Sequence, residues 1–354
     1  MSNIAQNAFD LPNLRELIRD GYIYQRFHSE FPLFVLNYSP KTQYERAWNE
    51  TTTTCRGLIC KEDGEIISRP FKKFFNLGEV SNIPEGPFEI TEKKDGSLGI
   101  SYYWNNQWYI ATRGSFESKQ AKSATELLQV SNLRAWLNPE HTYLFECVFP
   151  WNRIVVNYGG QSALYPLAVV HTESNFELPQ GWKHIMWGLH GFPEIQSYNF
   201  PSIKDAVEGI PQYNFEGFVI KFLRSNIRIK VKSEEYVRLH AIIAGMNERK
   251  IWEALKDNRP LPLENIPNEL HVWITQTKNM LIEQYREIRE MAQKDFWFAR
   301  QICETRKEFA EYFQKRKWNN QPTSSILFLM LDDRDYSHKI WDMIKPSGEK
   351  IIHE

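Results

Sequence analysis

Two short segments of the sequence place a lysine two residues before an Asp-Gly pair, a pattern that could support lysine chemistry. One is "CKEDGEI" around Lys61, and the other is "TEKKDGSL" around Lys93. A neutral lysine amine is a nucleophile that forms covalent intermediates in enzymes. Asp-Gly between alternating strands is also the strongest short signal for a hairpin turn. From the local sequence alone, both segments are predicted to be turns. Residues elsewhere in the chain must show whether either lysine is a nucleophile.

The second segment is accompanied by isolated charged residues within apolar, strand-like stretches. These residues are, in chain order, Arg56 in "CRGL", Lys73 in "RPFKKFFNL", Glu146 in "YLFECVF", Glu216 in "NFEGFVIKF", and Lys230 with Lys232 in "IRIKVK". Residues two apart in a strand point to the same face, and burying an unpaired charge is costly. The pattern therefore predicts that these charges lie at strand ends that face a cleft.

In this order, the segments resemble the motifs of the covalent nucleotidyltransferase superfamily of ligases and RNA capping enzymes. Within it, the sequence resembles the phage-type RNA ligases of the first family, which repair cut tRNA. The matching segments are "KKDGS" for motif I, "YLFECVF" for motif III, "EGFV" for motif IV and "KVK" for motif V. The elements "CRG" and "KKFFNL" before motif I and "RGSFESKQA" after it are also similar to those of the family. The resemblance extends from roughly Tyr38 to Tyr236.

The resemblance implies that Lys93 is the nucleophile. Lys61 is predicted to be an ordinary turn lysine, because no comparable series of charged residues follows it and Glu65 stands where the motif has serine. Asp95 and Gly96 complete motif I. Glycine permits close approach of the backbone to a nucleotide, and the aspartate is expected either to orient the loop or to assist a metal ion.

A lysine that attacks phosphorus must be neutral, although its ordinary pKa is about 10.4. Nearby cations and burial both disfavour the ammonium form, so Lys230, Lys232, Arg56 and a bound metal ion are expected to lower the pKa of Lys93. The same cations would stabilise charge on the transferred phosphate. Catalytic roles are therefore predicted for Lys93, Asp95, Lys230 and Lys232.

The remaining roles implied by the resemblance concern the nucleotide. Arg56 would grip the β and γ phosphates or orient the 5′-phosphate of RNA, and Lys73 would be a point charge on the α or β phosphate. Glu146 would accept a ribose hydroxyl, and Glu216 would hold Mg²⁺ directly or through water. The predicted nucleotide-binding residues are Tyr38, Arg56, Lys73, Phe75, Gly96, Arg113, Glu146, Glu216 and Gly217, with Glu216 also the metal ligand. For the two aromatic residues of this set, a structural role is an equal alternative.

The patterning of the chain predicts an α+β fold. Strand-like segments dominate the first part, whereas apolar residues at helical spacing dominate the last part. We therefore predict a nucleotidyltransferase (ATP-grasp-like ligase) domain of antiparallel sheets with flanking helices over residues 1–236. An all-helical C-terminal domain is predicted over 237–354. Within the first domain, Ser115 is predicted to cap a helix that covers residues 118–130.

The resemblance implies an ATP-dependent RNA ligase that uses Mg²⁺, with Mn²⁺ as a substitute. It would join 5′-phosphate and 3′-hydroxyl ends through lysyl-AMP and adenylated RNA. The expected partners are single-stranded or broken-loop RNA, tRNA above all, and an end-healing kinase-phosphatase. Because the net charge is only -1, RNA would have to be held by local clusters of basic residues. In the C-terminal domain, "KRK" at residues 315–317 and Trp318 are candidate contacts, with a solvated helix end as the alternative.

Two alternatives to this function stay open. One is a related DNA ligase or capping guanylyltransferase, and the other is a non-catalytic RNA-binding module with a degraded ligase fold. The sequence shows neither a signal-peptide pattern nor an apolar stretch long enough to cross a bilayer. A cytoplasmic location is therefore expected, in the host cell if the source is viral.

Overall fold

The chain divides into two compact units, Met1–Val237 and Arg238–Glu354. A computed structural model describes residues 4–179, 191–263, 266 and 268–347. The first unit contains three β-sheets with flanking helices, and the second unit is mainly helical. The α+β fold class predicted from the sequence is confirmed. The functions predicted for the two domains stay predictions.

The first sheet is built around a strand that is buried on both faces. Its order is β1 (Ile23–Phe27), β2 (Leu33–Tyr38), β3 (Arg56–Lys61) and β4 (Ile66–Ser68), with all neighbours antiparallel. In β2, Leu33 and Val35 pack into one apolar cluster, whereas Phe34 and Leu36 pack into another. Successive residues of a strand point to opposite faces, so a core on each side explains the unbroken apolar run "LFVL".

The second sheet carries Glu146 on its central strand. Its order is β11 (Phe176–Glu177), β10 (Ala163–His171), β9 (His141–Val148), β7 (Ser97–Trp104) and β8 (Gln107–Thr112). The hairpin between β7 and β8 turns at Asn105 and Asn106, which have φ values of 47° and 61°. Asparagine tolerates this left-handed conformation, and a two-residue hairpin turn of type I′ requires it twice.

The third sheet carries the candidate nucleophile. Its order is β12 (Ser197–Tyr198), β6 (Phe88–Lys93), β13 (Gly217–Phe222), β14 (Arg228–Lys232) and β5 (Phe75–Asn76). All neighbours are antiparallel except β14 and β5, which are parallel. Phe218, Ile220 and Phe222 alternate along β13 and are buried in one apolar cluster. The polar residues of the sheet are therefore left on the opposite face.

A buried carboxylate joins the second and third sheets. Glu177 of β11 accepts hydrogen bonds from Lys221 Nζ of β13, at 2.9 Å, and from Arg228 of β14. The side chain of Glu177 is only 4% exposed. Because both basic partners lie on the polar face of the third sheet, these ion pairs turn that face towards the second sheet.

Short helices flank the sheets of the first unit. They are α1 (Leu14–Arg19), α2 (Pro40–Tyr44), α3 (Glu50–Thr54), α4 (Lys119–Val130) and α5 (Ile203–Glu208), with 3₁₀ segments at Ala8–Asp10, Leu77–Glu79, Asn132–Trp136 and Pro150–Asn152. Ser118 caps α4, because its Oγ accepts a hydrogen bond from the backbone N–H of Ala121 at 3.1 Å. The prediction that Ser115 caps this helix is wrong. Ser115 lies too early in the chain, and its carbonyl accepts the backbone N–H of Thr112 instead.

Among its described residues, the second unit is helical apart from one small hairpin. Helix α6 (Glu234–Gly245) crosses the boundary between the units, and it is followed by α7 (Glu248–Lys256), α8 (Asn268–Ile302), α9 (Arg306–Phe313), α10 (Ser324–Leu331) and α11 (Ser337–Met343). The hairpin pairs β15 (Lys317–Trp318) with β16 (Gln321–Pro322). It forms because Asn319 and Asn320 both adopt positive φ, as a tight turn requires. In the described part of the chain, no helix combines the length and apolarity needed to cross a bilayer. The cytoplasmic location stays a prediction.

Candidate active site

Three neighbouring strands align Lys93 with Lys232 across a glycine. In the register of the third sheet, Gly217 of β13 lies opposite Lys93 of β6 on one side and Lys232 of β14 on the other. Directly paired residues of antiparallel strands point to the same face, so both lysines extend from the polar face. A Cβ on Gly217 would lie 2.0 Å from the carbonyl oxygen of Val231. Glycine is therefore required between the two lysines.

The carboxylate of Glu216 joins these two lysines. Its Oε1 lies 2.8 Å from Lys93 Nζ and 3.0 Å from Lys232 Nζ, and the side chain of Glu216 is only 2% exposed. The other oxygen, Oε2, is buried and has no hydrogen-bond partner among the residues that the structure describes. A buried polar atom without a partner is costly, so Oε2 is a position where a cation would be stabilised.

The pKa of Lys93 lies above its ordinary value in this structure. Burial by itself lowers this pKa, but the negative charges of Glu216 and Glu146 outweigh burial. Lys230, Lys232 and Arg56 therefore do not by themselves hold the pKa of Lys93 down, because the group in contact with its ammonium is a carboxylate. The fall expected together with a bound metal ion stays a prediction. Burial would raise the pKa of Glu216 in turn, but Lys93 and Lys232 lower it and keep the carboxylate ionised.

Two other lysines of the site have strongly lowered pKa values. Burial, followed by the charges of Lys73 and Lys93, lowers the pKa of Lys230 to about 7. Burial, followed by the charge of Arg56, lowers the pKa of Lys73 to about 8. Within the described ranges, neither Lys230 nor Lys73 forms a salt bridge. The site therefore concentrates positive charge that its own acidic residues do not neutralise.

Arg56 and Arg113 both interact with Tyr38. Arg113 Nη1 donates a hydrogen bond to Tyr38 Oη at 2.8 Å. Arg56 has a buried Nη1 with no hydrogen-bond partner among described residues, and its guanidinium carbon lies 5.4 Å from the ring centroid of Phe74. Burial lowers the pKa of Arg56. A buried guanidinium N–H that lacks an acceptor is suited to an anionic ligand such as phosphate.

The two predicted nucleotide-binding aromatics belong to one cluster around Trp48. The ring of Trp48 meets Tyr38 at 5.0 Å and Phe75 at 5.5 Å, both edge to face. Lys73 Nζ lies 5.3 Å from the ring centroid of Trp48 and 5.2 Å from that of Phe75. The structure therefore brings Tyr38, Lys73 and Phe75 together, although each aromatic still has a structural role in this cluster.

Asp95 holds the Asp-Gly turn in place. Its Oδ2 accepts hydrogen bonds from the backbone N–H groups of Val155, at 2.8 Å, and Val156, at 2.9 Å. Its Oδ1 accepts a hydrogen bond from Tyr236 Oη at 2.8 Å, and its own backbone N–H donates to Tyr158 Oη at 2.7 Å. Because both carboxylate oxygens are engaged, the geometry favours the loop-orienting role of Asp95 over metal binding.

Gly96 lies against the strand that carries Glu146. A Cβ on Gly96 would lie 2.5 Å from the carbonyl oxygen of Cys147 and 3.1 Å from Glu146 Cγ. Burial raises the pKa of Glu146 to about 7, with Lys93 opposing this shift and Glu216 adding to it. A carboxyl group that is partly protonated at neutral pH can donate as well as accept a hydrogen bond, which suits a hydroxyl ligand.

The protein offers few ligands to a metal ion by itself. Among the described residues, no group of three or more His, Cys, Asp or Glu side chains could hold a metal. Glu216 Oε2 is nevertheless a hard oxygen ligand without a partner. Mg²⁺ is often bound by one or two carboxylates together with substrate phosphates and water, so the residues fit such an ion.

Comparison with known protein families identifies the family to which this chain belongs. Residues 54–236, slightly more than half of the chain, match the family model described as RNA ligase. The chain belongs to the RNA ligase family. The matched range contains Lys93 and every other predicted site residue except Tyr38.

Two relatives of this RNA ligase family member differ in how much of their length the chain covers. The chain is 28% identical over 245 residues to the "Putative bifunctional polynucleotide kinase/RNA ligase" of Autographa californica nuclear polyhedrosis virus, covering 60% of this chain and 34% of that protein. It is 22% identical over 376 residues to an RNA ligase of Rhodothermus phage RM378, covering 82% of this chain and 81% of that protein. The chain thus spans about a third of the first relative's length and most of the second's.

The fold of this RNA ligase family member also resembles a solved structure. An archaeal ATP-dependent RNA ligase superposes with a TM-score of 0.50 at 13% sequence identity, covering 92% of this chain and 96% of that chain. At this identity, the likeness concerns the fold alone. It supports the predicted nucleotidyltransferase-type architecture.

Two other lysines, Lys61 and Lys94, lie near the two Asp-Gly pairs of this RNA ligase family member. Their partners differ from those of Lys93. Lys61 Nζ lies 2.5 Å from Glu65 Oε2, and the backbone N–H of Gly64 donates to the carbonyl of Lys61 at 2.8 Å. This is an ordinary hairpin turn, as predicted. Lys94 pairs with Glu92 at 2.7 Å and lies over the ring of Tyr165, so its ammonium has partners other than Glu216.

Sequence analysis missed three features around the site. Trp48 stands in the polar stretch "ERAWNE", where nothing indicates its aromatic neighbours. Segment 153–158, "RIVVNY", looks like a short strand, yet it supplies the backbone and side-chain groups that hold Asp95. Tyr236 lies in helix α6, 141 residues from the aspartate that it contacts. Each depends on a long-range contact, for which the sequence carries no local signal.

Proposed function

We propose that the protein is an ATP-dependent RNA ligase that joins a 5′-phosphate to a 3′-hydroxyl through lysyl-AMP and adenylated RNA. One observation carries the proposal: the lysine of motif I lies in a site where basic groups outnumber acidic ones. The basic groups are Arg56, Lys73, Lys93, Arg113, Lys230 and Lys232, and the acidic groups are Asp95, Glu146 and Glu216. Such a site is suited to a polyanionic ligand next to a nucleophile.

A nucleoside triphosphate provides the negative charge that this cluster lacks. Phosphate oxygens beside Lys230 and Lys73 would raise the pKa of both groups, since an anion favours the ammonium form. The unpartnered Nη1 of Arg56 would find an acceptor at the same time. ATP binding is therefore expected to relieve the electrostatic cost that burial of these cations imposes.

In the first step, Nζ of Lys93 attacks the α-phosphorus of ATP. Its ammonium must first lose a proton to water. A P–N bond then forms, the bond from the α-phosphorus to the β-phosphate oxygen breaks, pyrophosphate leaves, and the nitrogen releases a second proton to water to give the phosphoramidate. Arg56, Lys73 and Lys230 stabilise the charge on the transferred and leaving phosphates, because the fold holds them in place before the reaction: Arg56 on β3, Lys230 on β14, and Lys73 just before β5. Glu146 binds a ribose hydroxyl.

Glu216 is the residue that would hold a divalent cation, through its buried Oε2. When bound, Mg²⁺ or Mn²⁺ supplies positive charge that offsets the carboxylate and the substrate phosphates. Glu216 also orients Lys93 and Lys232 through its Oε1.

The second and third steps use RNA. An oxygen of the 5′-phosphate displaces Lys93 from AMP, the P–N bond breaks, and the amine takes a proton back. A 3′-hydroxyl then attacks the adenylated 5′-phosphate, and AMP leaves as the RNA ends join. Membership of the RNA ligase family supports this sequence of reactions.

We extend the proposal to the partners of the protein. The substrate is single-stranded or broken-loop RNA, tRNA above all, and an end-healing kinase-phosphatase prepares its ends. The viral relative whose name combines a polynucleotide kinase with an RNA ligase supports this link between end healing and sealing.

The second unit is proposed to position the RNA. Trp297 and Phe298, near the end of α8, are 64% and 50% exposed. Phe298 stacks on Tyr312, and the guanidinium of Arg316 lies 4.0 Å from the Tyr312 ring centroid. Exposed aromatic rings beside cations are typical of surfaces that bind unpaired bases. The other predicted contacts in this segment are Lys315, Lys317 and Trp318.

Transfer of α-labelled ATP to the protein, followed on a denaturing gel, tests the first step. Lys93→Ala is expected to abolish labelling. Lys61→Ala is the matched control from the other Lys-x-Asp-Gly segment, and it should retain the label within about twofold, because it alters a surface turn. The label should be released by acid, as from a phosphoramidate. Label that survives in Lys93→Ala would overturn the assignment of the nucleophile.

Competition between acceptors then distinguishes an RNA ligase from its relatives. The labelled protein is offered RNA with a 5′-monophosphate, RNA with a 5′-triphosphate, and nicked DNA. We expect AMP transfer to the monophosphorylated RNA, followed by sealing. Reaction with nicked DNA alone would establish a related DNA ligase. Guanylyl transfer to di- or triphosphorylated RNA ends, from a parallel sample labelled with α-labelled GTP, would establish a capping guanylyltransferase. Folded wild-type protein that takes no label with Mg²⁺ or Mn²⁺ would support a non-catalytic RNA-binding module.

A further inference from the structure

A stacked pair of aromatic rings lies between β9 and segment 153–158, which holds the Asp-Gly turn. Phe149 and Trp151 stack with their ring centroids 5.0 Å apart and an interplanar angle of 9°. Phe149 is buried, whereas Trp151 is 42% exposed. Both residues directly follow β9, the strand that carries Glu146. The outer ring is thus accessible from solvent, and the inner ring supports it.

Hydrogen bonds of the adjacent residue anchor the backbone next to Trp151 to the candidate active site. Its neighbour Asn152 donates from Nδ2 to Ser97 Oγ at 3.0 Å, and Gln120 donates to Asn152 Oδ1 at 2.8 Å. Ser97 directly follows Gly96 of motif I and is paired with Cys147 of β9. A ring that is already held in position loses little conformational entropy when a ligand stacks on it.

Lys119 covers the ring of Trp151. Its Nζ lies 4.1 Å from the ring centroid, and because Phe149 stacks on one face, the ammonium lies over the other. Lys119 is exposed, and no salt bridge to it is present within the described ranges. An exposed cation–π contact strengthens an interaction only about two- to fivefold, whereas stacking of a nucleobase strengthens binding about 5- to 150-fold. A base therefore displaces Lys119 from the ring.

We propose that Trp151 and Lys119 form a binding site for the nucleotide at an RNA end. The base stacks on Trp151, and the displaced ammonium of Lys119 binds a phosphate of the same strand. This inference rests on the proposed function, which brings an RNA end to the site. A protein partner is disfavoured, because one exposed ring and one cation are far smaller than a specific protein interface.

Sealing of RNA that is already adenylated isolates this site from lysyl-AMP formation. Trp151→Ala is expected to raise KM for adenylated RNA about tenfold, and Trp151→Phe, which keeps a ring, only about twofold. Lys119→Ala should raise KM about threefold and make binding less dependent on salt. Trp136→Ala alters another exposed tryptophan of the same unit, 64% exposed, and should leave KM unchanged. Lysyl-AMP formation from ATP alone should stay within about twofold in all four variants.

An abasic nucleotide at the reacting end provides the decisive comparison. For RNA that lacks this base, wild type and Trp151→Ala should have equal KM values, because the ring has no base to stack on. The abasic nucleotide is placed at the 5′ end and at the 3′ end in turn, and the end at which the variant loses its effect is the end that the site binds. Equal weakening for normal and abasic RNA at both ends, or no weakening, would overturn the inference. Wild-type protein without any lysyl-AMP would instead refute the proposed function, so the two failures are distinguishable.

Discussion

The two Lys-x-Asp-Gly segments share a local sequence but connect different parts of the fold. The segment at 61–64 closes a hairpin between β3 and β4, two neighbours in one sheet. The segment at 93–96 leads from β6 of the third sheet to β7 of the second. Lys93 therefore lies where two sheets meet, with Glu216 supplied from just before β13 and Lys232 from the end of β14. The same short motif can therefore support chemistry only where the fold places other charged side chains beside its lysine.

The aspartates of the two segments differ in the same way. The side chain of Asp63 accepts one local hydrogen bond, from the backbone N–H of Glu65 to its Oδ1 at 3.0 Å. Asp95 accepts three hydrogen bonds, all from residues at least 60 positions away. Both turns also contact distant segments through their backbones, but only the aspartate side chain of the second turn is bonded to distant parts of the chain. Matched substitutions in the two turns test this difference.

The largest difference in activity is expected between variants of the two lysines, Lys93 and Lys61. Lys93→Arg keeps the positive charge that pairs with Glu216, but a guanidinium does not lose its proton in proteins. We expect the rate of lysyl-AMP formation to fall at least about 1000-fold, as in other losses of a nucleophile, while the melting temperature changes little. Lys61→Arg should stay within about twofold. Rates of label incorporation from ATP measure both, and an equal loss in both variants would contradict the distinction between the turns.

Substitution of Gly96 or Gly64 should lower stability in both cases but should lower activity in only one. A Cβ would lie 2.5 Å from the Cys147 carbonyl oxygen in Gly96→Ala, and 2.2 Å from Asn7 Oδ1 in Gly64→Ala, where φ is also +88°. Both variants are therefore expected to be less stable. Below both melting transitions, only Gly96→Ala should slow lysyl-AMP formation per folded molecule, by about 100-fold, because it displaces the reacting groups. A comparable slowing in Gly64→Ala would show that the first turn also supports the site.

Removal of the aspartates should affect stability unequally. Asp95→Ala leaves the buried backbone N–H groups of Val155 and Val156 without acceptors, and we expect a loss of roughly 2–3 kcal/mol in the free energy of unfolding. Asp63→Ala removes a single exposed hydrogen bond and should cost less than about 1 kcal/mol. Denaturant titrations of both variants provide the values. Equal losses would contradict the idea that only the aspartate side chain of the second turn is held by distant residues.

The smallest expected effect is on the pH dependence of stability, which should differ between a buried lysine and an exposed one. Burial lowers the pKa of Lys230 to about 7. Between about pH 7 and 10.5, the unfolded chain binds more protons at this position than the folded chain, so stability rises with pH across that window. The destabilisation is complete below about pH 7 and disappears above about pH 10.5.

Lys230→Met removes this destabilisation. We expect the melting temperature to rise by roughly 2–4 °C at pH 7 and to change little near pH 10.5, as followed by circular dichroism. Lys61→Met is the exposed control and should alter the melting temperature by less than about 1 °C at both pH values. A stabilisation by Lys230→Met that is equal at both pH values would mean that packing, and not charge burial, is responsible.

The sequence by itself determined the class of fold and the identity of the candidate nucleophile. Alternating residues and Asp-Gly or Asn-Asn turns predicted most strands, because these preferences act within a few residues. The order of the charged motifs distinguished Lys93 from Lys61, since that information is spread along the chain and can be read without coordinates. The short strands β1 and β5 were not predicted, because strands of five and two residues depend on their neighbours for stability.

Only the tertiary structure decided how the site residues act on one another. It placed the carboxylate of Glu216 on Lys93, so that the pKa of this lysine is raised although basic residues surround it. It assigned Asp95 to holding the turn, and it brought Trp48 and segment 153–158 to the site. Electrostatic effects fall off with distance and depend on burial, and a linear sequence specifies neither for residues on different strands.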